Sequence, residues 1–279
     1  MKNILFCPHC KNELNQIGNT FKCVNNHSYD ISKKGFVNLL LANQHHSDNS
    51  GDEKGMILSR VRFLNTGKYD LLRDLITETI KSNLDSLKDN VVCDLGCGEG
   101  YYTTYFHNKL KDEFNLSTYG VDLSKQAINE CTIRQRQMKL EDIKFIIGNL
   151  NYLPIQNESV DLIVNSFAKI DENEFLRILR KNGIFLRILP GTKHLLGLKE
   201  VLYENVRLNE DKETYIEGFE LIDIKESKGN ILLNNQEIND LFTMTPYYYK
   251  SPKDTSEALM KKEELNTIIS FKILVYRKK

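Results

Sequence analysis

A repeated alternation of short apolar runs with helix-compatible stretches is the feature that most limits how this chain can fold. The apolar runs are short and rich in β-branched residues, and they cover residues 91–95, 118–123, 143–147, 160–165 and 184–189. Stretches suited to helices separate most of them, at 102–111, 125–137 and 172–179. Such an alternation predicts a parallel β-sheet with helices on both faces.

The regions on either side of this alternation follow other patterns. From Ile57 to Leu84, apolar residues recur at helical spacing with Gly67 as an interruption, which predicts two helices. The C-terminal part predicts a helix over 195–206 and strands near 219–227 and over 267–277. The α/β pattern is therefore flanked by helices at its start and by a strand-containing extension at its end.

A glycine-rich loop lies between the first apolar run and the helix that follows it. Its sequence, residues 94–100, is Asp-Leu-Gly-Cys-Gly-Glu-Gly. Gly96 and Gly98 allow positive φ and close approach of the backbone to a ligand. Asp94 is suited to accept a hydrogen bond from an ammonium group. About twenty residues further on, Asp122 ends the second strand, where a carboxylate can bind both hydroxyls of a ribose.

Two nucleoside cofactors compete for this pattern. A dinucleotide such as NAD needs a cradle for its pyrophosphate and the spacing G-x-G-x-x-G, in which the third glycine allows helix packing. In this chain the spacing is G-x-G-x-G and ends at Gly100, so the glycine for that packing is not at the expected position. An S-adenosyl nucleoside has no pyrophosphate. We expect its ammonium at Asp94, its carboxylate at the loop amides, its ribose at Asp122 and its adenine near Gly148 and Asn149. The competing structural interpretation is a tight turn without a ligand.

Four residues near the N-terminus have the spacing of metal ligands. Cys7 and Cys10 form a C-x2-C pair, and Cys23 and His27 form a C-x3-H pair, with twelve residues between the two pairs. Two short turns of this kind direct soft ligands to one point, as structural zinc requires. His9 lies between the first pair and is a poorer fourth ligand than His27. The spacing predicts a zinc centre; unrelated buried cysteines are the alternative.

The segment that carries these ligands predicts a zinc ribbon. Residues 13–20, with Gly18 and Asn19, look like a hairpin connection. A module of about 30 residues builds too small a core to fold alone, so a bound metal would supply much of its stability. The predicted organisation is a zinc ribbon for RNA recognition over 1–40, a linker or binding loop over 41–56, and a catalytic domain over 57–279.

Composition restricts the class of partner. The chain has 279 residues, with 38 Lys and Arg against 38 Asp and Glu. A general nucleic-acid coat is therefore not expected, although residues 1–64 carry eight basic against five acidic residues. No apolar run approaches a membrane span or a signal peptide, so we expect a cytoplasmic protein without disulfides. The cysteines outside the ribbon, Cys93, Cys97 and Cys131, are expected to be small buried residues.

Several motifs in order carry a resemblance to a known family. Residues 94–102 resemble the first motif of class I S-adenosylmethionine-dependent methyltransferases. Over nearly the whole chain, the motifs are similar to those of the bacterial 23S ribosomal RNA guanine-N1 methyltransferases. The other matching segments are the Cys3His ribbon and residues 34–40, 63–69, 190–195 and 244–247.

This resemblance implies a fold, an activity and a set of ligands. The implied fold is a Rossmann-like class I methyltransferase sheet with a small N-terminal zinc-binding ribbon. The implied activity is methyl transfer from S-adenosylmethionine to N1 of a guanine in a 23S rRNA hairpin loop. The resemblance places zinc on Cys7, Cys10, Cys23 and His27, and cofactor contacts on Tyr69, Gly98, Glu99 and His194. The full predicted cofactor set also includes Asp94, Gly96, Gly100, Asp122 and Asn149.

The chain departs from the family pattern after the fourth strand. The family has a small residue followed by proline there, whereas Phe167 and Ala168 are followed by Lys169. Lys169 would contact an RNA phosphate or line the start of a helix. A second departure, Lys181-Asn182-Gly183 in place of Pro-Gly-Gly, is harmless because Asn and Gly both serve turns.

The sequence does not identify a catalytic base. Glu99 is a candidate to accept the N1 proton by its location alone. Phe36, Phe167 and the tyrosines at 247–249 are aromatic residues that would stack a splayed-out base or pack in the core. The alternatives to an rRNA methyltransferase are a small-molecule methyltransferase and a catalytically weak RNA-binding or ribosome-assembly factor. The expected partner is the rRNA hairpin, with a homodimer left open and no membrane.

Overall fold

The computed structural model describes residues 1–41, 54–210 and 214–279. The described residues form a three-stranded sheet, an eight-stranded sheet and the helices around it. The strands are β1 (Asn15–Ile17), β2 (Thr20–Lys22), β3 (Ser28–Asp30), β4 (Val37–Asn38), β5 (Asn90–Leu95), β6 (Leu116–Asp122), β7 (Ile143–Ile147), β8 (Val160–Ser166), β9 (Leu179–Pro190), β10 (Phe219–Asn234) and β11 (Glu264–Lys278). The helices are α1 (Lys54–Asn65), α2 (Asp70–Lys81), α3 (Tyr101–Leu110), α4 (Lys125–Gln137), α5 (Glu172–Ile178), α6 (Leu196–Leu202), α7 (Asn235–Thr243), α8 (Tyr247–Lys250) and α9 (Lys253–Met260).

The large sheet has the order β10-β11-β9-β8-β5-β6-β7-β4. Neighbouring strands from β9 to β4 run parallel, while β11 runs antiparallel to both β9 and β10. Every residue of β5 is buried, as expected for a central strand covered on both faces. The chain proceeds from β5 to β6 and β7 on one side and then returns to β8 on the other. The predicted parallel sheet with helices on both faces is confirmed.

The largest difference from the predicted elements is the C-terminal hairpin of β10 and β11. β10 was expected to end near residue 227 and β11 to begin at 267, but the two strands pair from Phe219 with Lys278 to Asn234 with Glu264. The alternation of exposed and partly buried residues along β10 hides this strand from a search for apolar runs. The residues of β10 after 227 belong to the strand because they pair with β11, although few of them are buried.

The helices between these strands were not predicted from the sequence. α7 begins with a capping box, in which the Asn234 side chain accepts from the Glu237 backbone and the Glu237 carboxylate accepts from the Asn234 backbone. α6 is shorter than predicted and ends at Leu202, because Tyr203 is extended. None of the described helices is long and apolar enough to cross a membrane.

The N-terminal segment is packed onto the large sheet. β4 extends the sheet by pairing with β7, and Leu5 forms a bridge with Ile155. Residues of the ribbon share one apolar core with residues of β5, β6, β8 and α5: Ile4, Leu5, Cys7, Leu14, Phe21 and Cys23. Most of the predicted linker, residues 42–53, lies outside the described residues, and α1 begins at Lys54 within the remainder.

Candidate cofactor site and metal centre

The four predicted metal ligands meet in one cluster. One ligand atom from each of Cys7, Cys10, Cys23 and His27 lies within 4.8 Å of the others. The Cys10 and Cys23 sulfurs are 3.6 Å apart, and His27 Nδ1 is 3.4 Å from Cys7 Sγ and 3.5 Å from Cys23 Sγ. The ring of His9 stacks on that of His27, with 5.0 Å between the centroids, and is not a member of the cluster.

These distances suit a tetrahedral zinc ion. With Zn–S bonds of about 2.3 Å, the sulfur atoms at the corners of a tetrahedron are about 3.8 Å apart. The surroundings also favour thiolates, because hydrogen bonds from Asn12, chiefly from its backbone, lower the pKa of Cys10 to about 6. The Tyr29 hydroxyl lies within hydrogen-bonding distance of Cys7 Sγ, at 3.3 Å, and helps to orient this ligand. The donor set fits zinc, which would hold the two turns of the ribbon together.

The glycine-rich loop lies where the strand order reverses. It follows β5, whose neighbours β6 and β8 are reached by crossovers in opposite directions, and open α/β sheets bind ligands at this point. Gly96 has φ of 83°, and a Cβ there would be 2.5 Å from the Ala168 Cβ, so only glycine lets the two loops approach. Gly98 has φ of 55°, and its side-chain direction is open except for Arg60 Nη1 at 3.7 Å. Gly100 instead packs against Cys131 of α4.

Asp94 has a buried oxygen atom without a partner among the described residues. The side chain is 1% exposed, and its Oδ2 accepts a hydrogen bond of 2.6 Å from Thr103 Oγ1. Oδ1 is buried and accepts no hydrogen bond. Burial raises the pKa of Asp94 to about 7, with the charges of Asp122 and Glu99 adding to the effect and the Thr103 hydrogen bond opposing it. A buried acceptor of this kind fits the ammonium group of S-adenosylmethionine.

Asp122 and Asn149 lie at the ends of the next two strands. Asp122 Oδ2 accepts from the Gly98 amide at 2.9 Å, and Oδ1 accepts from the Ser124 amide at 2.8 Å. Its carboxylate is therefore fixed against the glycine loop and the start of α4. Asn149 Oδ1 accepts from the Asn151 amide at 2.9 Å, which orders the loop after β7. Both residues face the same end of the sheet as Asp94.

Glu99 forms a buried ion pair. Its carboxylate is 2% exposed and lies 2.5 Å from Arg134 Nε of α4, while Arg134 Nη1 donates to Asn65 Oδ1 at 2.8 Å. Burial raises the pKa of Glu99, and the charges of Arg134 and Arg60 oppose this effect. The contacts connect the loop to α4 and to the end of α1. A carboxylate engaged in this way is a poor candidate for the catalytic base.

Tyr69 and His194 form a buried pair on the other side of the site. His194 Nδ1 accepts from the Ser270 backbone amide at 3.2 Å, and His194 Nε2 lies 3.2 Å from the Tyr69 hydroxyl. Burial lowers the pKa of His194 to about 3, so the ring is neutral. Because Nδ1 is the acceptor, Nε2 carries the proton and donates it to the Tyr69 oxygen. The Tyr69 hydroxyl hydrogen is then available for donation to another group.

An exposed aromatic side chain follows β8 at the same end of the sheet. Phe167 is 46% exposed and has φ of 60°, an unfavourable conformation for a bulky residue. Its ring centroid is 6.2 Å from that of Phe271, which in turn lies 4.8 Å from His194. Lys169, in place of the family proline, is exposed, and Asn165 Nδ2 holds this turn by donating to the Leu95 carbonyl at 2.8 Å.

Sequence patterns did not reveal four residues of this site, namely Arg60, Thr103, Arg134 and Phe271. Thr103 lies about one helical turn after Gly100, and its hydroxyl donates to Asp94. A threonine at this spacing from the glycine loop could have been predicted to contact Asp94. The two arginines come from α1 and α4, and they converge only because both helices pack beside the loop. Phe271 belongs to a β11 that pairs with β9 from outside the α/β alternation.

Comparison with known proteins agrees with this geometry. Residues 86–239 match the family described as "Methyltransferase domain", and residues 5–48 match the one described as "RlmA, N-terminal", a zinc ribbon. The chain is 24% identical to the 23S rRNA (guanine(748)-N(1))-methyltransferase of Streptomyces fradiae, over 90% of this chain and 87% of that protein. It is 25% identical to the "Putative 23S rRNA (guanine-N(1)-)-methyltransferase YxjB" of Bacillus subtilis, over 96% of this chain and 95% of that one.

The methyltransferase match covers more than half of the chain, and its limits enclose the glycine loop, Asp122 and Asn149. The ribbon match encloses the Cys3His cluster. The predicted fold class and the predicted cofactors, S-adenosylmethionine and zinc, are therefore confirmed. This chain belongs to the methyltransferase domain family and carries an RlmA-type zinc ribbon at its N-terminus.

Proposed function

We propose that this chain transfers a methyl group from S-adenosylmethionine to N1 of a guanine in a hairpin loop of 23S rRNA. The observation that carries the proposal is the presence of an RlmA-type ribbon and a methyltransferase domain in one chain, matched over nearly its full length by relatives named for that reaction. A small-molecule methyltransferase needs no ribbon, so the ribbon favours the RNA substrate.

In this proposal the cofactor is held by groups that the fold has already fixed. Asp94 Oδ1 accepts from the ammonium group, and Asp122, anchored by two backbone amides, accepts from the ribose hydroxyls. The Tyr69 hydroxyl, oriented by His194, donates to the cofactor carboxylate. Asn149, after β7, would contact the adenine. S-adenosylmethionine supplies the methyl group on its positively charged sulfur, so no metal takes part in the reaction that we propose.

The chain positions the nucleophile for an in-line displacement. Phe167, exposed beside the glycine loop, stacks on the target base once it leaves the RNA loop. The bond between guanine N1 and the methyl carbon would form as the bond from that carbon to sulfur breaks, and the N1 proton would pass to a water molecule. Because Glu99 is paired with Arg134, we assign that proton to no residue of the chain. Catalysis then rests mainly on positioning.

A primer-extension experiment tests the proposal directly. The full chain is incubated with 23S rRNA and S-adenosylmethionine carrying a labelled methyl group, and the RNA is copied by reverse transcriptase. N1-methylguanine cannot form a Watson–Crick pair, so we expect label in the RNA and one new stop in a hairpin loop. Label found only in a small molecule would establish the metabolite alternative, and an absence of label with retained RNA binding would establish the assembly factor.

The remaining predictions about context belong to the same proposal. An enzyme that acts on rRNA is expected where ribosomes are made, which agrees with the predicted cytoplasmic location. A homodimer remains a prediction, and the sedimentation coefficient of the full chain tests it. The division into ribbon, linker and catalytic domain also remains a proposal. Limited proteolysis tests it, with the first cleavage expected within residues 41–56.

A further inference from the structure

We infer that a second RNA-binding site, a groove for stem phosphates, lies between the ribbon and the C-terminal end of α4. The inference rests on the proposed function and concerns a part of the molecule remote from the cofactor site. We call this feature the basic groove, an open cavity of about 620 Å³. Its lining includes four cationic side chains and one acidic side chain: Lys33, Lys34, Arg136, Lys139 and Glu141.

The four cations of the basic groove are exposed and have no acidic partner among the described residues. None of them forms a salt bridge within the described part of the chain, whereas Arg134, two residues before Arg136 on the same helix, is paired with Glu99. The chain as a whole carries no net charge. Four unpaired cations around one cavity therefore form a local field that attracts a polyanion.

The fold holds the two pairs of cations at a fixed separation. Lys33 and Lys34 lie in a tight turn closed by hydrogen bonds from the Gly35 amide to Ser32 O and from the Ser32 amide to Phe36 O, both 2.8 Å. The buried Phe36 next to this turn belongs to the same core cluster as Leu140, which follows Lys139. The ribbon turn and the end of α4 are thus parts of one packed unit.

Lys139 occupies a position that favours glycine. Its φ is 53°, and the Lys139 and Leu140 amides donate to Arg136 O at 3.2 Å and Gln135 O at 3.0 Å, the pattern of a Schellman cap. A β-carbon at this left-handed residue costs about 1 kcal/mol relative to glycine. The helix dipole favours cations at this end of α4, which accounts for part of the charge there, but it does not account for Lys33 and Lys34.

The location of the basic groove selects the part of the RNA that it binds. α4 begins beside Asp122 at the cofactor end of the sheet and, with 13 residues, extends about 20 Å to the opposite edge. The target base at the cofactor therefore lies far from the basic groove. A hairpin whose loop reaches the cofactor would place the phosphates of its stem, rather than the loop itself, against these cations.

The test uses a quadruple variant of the full chain, Lys33→Gln, Lys34→Gln, Arg136→Gln and Lys139→Gly. Dissociation constants for the RNA hairpin are measured over a range of salt concentrations, together with kcat and KM for methylation. We expect the slope of log K against log salt to become shallower by about 3, since each phosphate contact contributes about 0.7 to 0.9. KM should rise while kcat, zinc content and S-adenosylmethionine affinity are retained. A matched control removes four exposed lysines outside the basic groove that form no salt bridge within the described residues: Lys109, Lys181, Lys228 and Lys261.

A second RNA substrate distinguishes binding in the basic groove from general electrostatic attraction. A hairpin shortened so that no stem extends about 20 Å from the loop should bind the wild-type chain and the quadruple variant equally well. An unchanged salt slope, an equal loss in the control variant, or a defect that persists with the short hairpin would each overturn the inference. Failure of the wild-type chain to methylate guanine refutes the proposed function instead, and the binding measurements still decide whether the basic groove exists.

Discussion

The metal centre and the cofactor site are assembled in opposite ways. Cys7 and His27, the most distant ligands of the metal cluster, are 20 residues apart, and two short turns bring them together. Tyr69 and His194 of the cofactor site are 125 residues apart, and both rings pack against Phe271 of β11. The metal centre depends on local spacing, and the cofactor site depends on the whole topology.

This difference determines what each site needs in order to stay ordered. The three-stranded sheet of the ribbon is small, so a shared ion would supply much of the stability that holds its ligands together. At the cofactor site, Asp122, Glu99 and His194 are already held by protein partners. The metal should therefore contribute mainly to stability, and the cofactor should bind to a site that is largely formed before it arrives.

Cys23→Ala should have the largest effect, because it opens the tetrahedron and exposes the ribbon core. Apparent zinc-binding energies in small modules are about 10 to 16 kcal/mol, so even a partial loss exceeds about 3 kcal/mol of stability. Since Cys23 and Leu5 share a core with β5 and β6, urea unfolding of the whole chain should shift, not only that of the ribbon. If the ribbon were attached only by a linker, urea unfolding of the ribbon alone should shift.

The matched control for the metal centre is His9→Ala, which removes a ring stacked on His27 but no ligand. It should retain about one zinc per chain by metal analysis and nearly the wild-type urea midpoint. Equal zinc content in the Cys23→Ala variant would contradict the ligand assignment. Equal stability with zinc lost would contradict the argument that the metal supports the shared core.

Asp122→Ala should come next, as it removes the proposed ribose acceptor and the anchor of two loop amides. Hydrogen bonds to a charged acceptor contribute about 1.5 to 3 kcal/mol each, so the dissociation constant for S-adenosylmethionine should rise about a hundredfold or more. Asp122→Asn, which keeps one carbonyl acceptor and the side-chain shape, should lose less. Calorimetric titration measures both, and wild-type affinity in the alanine variant would refute the assignment.

Asp94 should make cofactor binding depend on pH. Its pKa of about 7 means that the ligand-free site is largely protonated below that pH, whereas an ammonium ligand favours the ionised carboxylate. Affinity should therefore rise as pH increases from about 5 to about 7, by up to about tenfold per unit, with release of one proton. The Asp94→Asn variant should release none. Calorimetry in two buffers of different ionisation enthalpy measures this, and equal proton release in both proteins would contradict the assignment.

The same pKa has a consequence for stability without the cofactor. The ordinary value for the Asp94 carboxyl is 3.8, so between about pH 4 and about pH 7 the folded chain binds more protons than the unfolded chain. The contribution of Asp94 to stability must then decrease as pH rises through this window. The difference in unfolding free energy between the wild-type chain and Asp94→Asn should change in that direction, and saturating cofactor should reduce the change.

The contrast between the sites also explains how far the sequence could predict them. Cys7, Cys10, Cys23 and His27 carry their geometry in their spacing, and the alternation from 91 to 189 predicts the parallel sheet with helices on both faces. The contact of Glu99 with Arg134 requires two helices to pack side by side, which no short pattern encodes. The pairing of β10 beyond residue 227 depends on β11, since one strand alone shows too few buried residues to be recognised.

Tyr69→Phe should have the smallest effect and is the most selective test of a site formed in advance. The ring packs edge-on against Phe63 and Phe271, so phenylalanine should keep this packing and the stability of the chain. Only the hydroxyl is lost, and with it the donor to the cofactor carboxylate and the acceptor for His194 Nε2. Hydrogen bonds to charged groups contribute about 1.5 to 3 kcal/mol, and a water molecule at the vacated position would recover part of this, so we expect affinity for S-adenosylmethionine to fall about tenfold.

The matched comparison uses S-adenosylmethionine and a decarboxylated analogue, because loss of a donor to the carboxylate should weaken binding of the first ligand only. If the variant weakens both ligands equally, Tyr69 acts through the orientation of His194 and Phe271 rather than through its own hydroxyl.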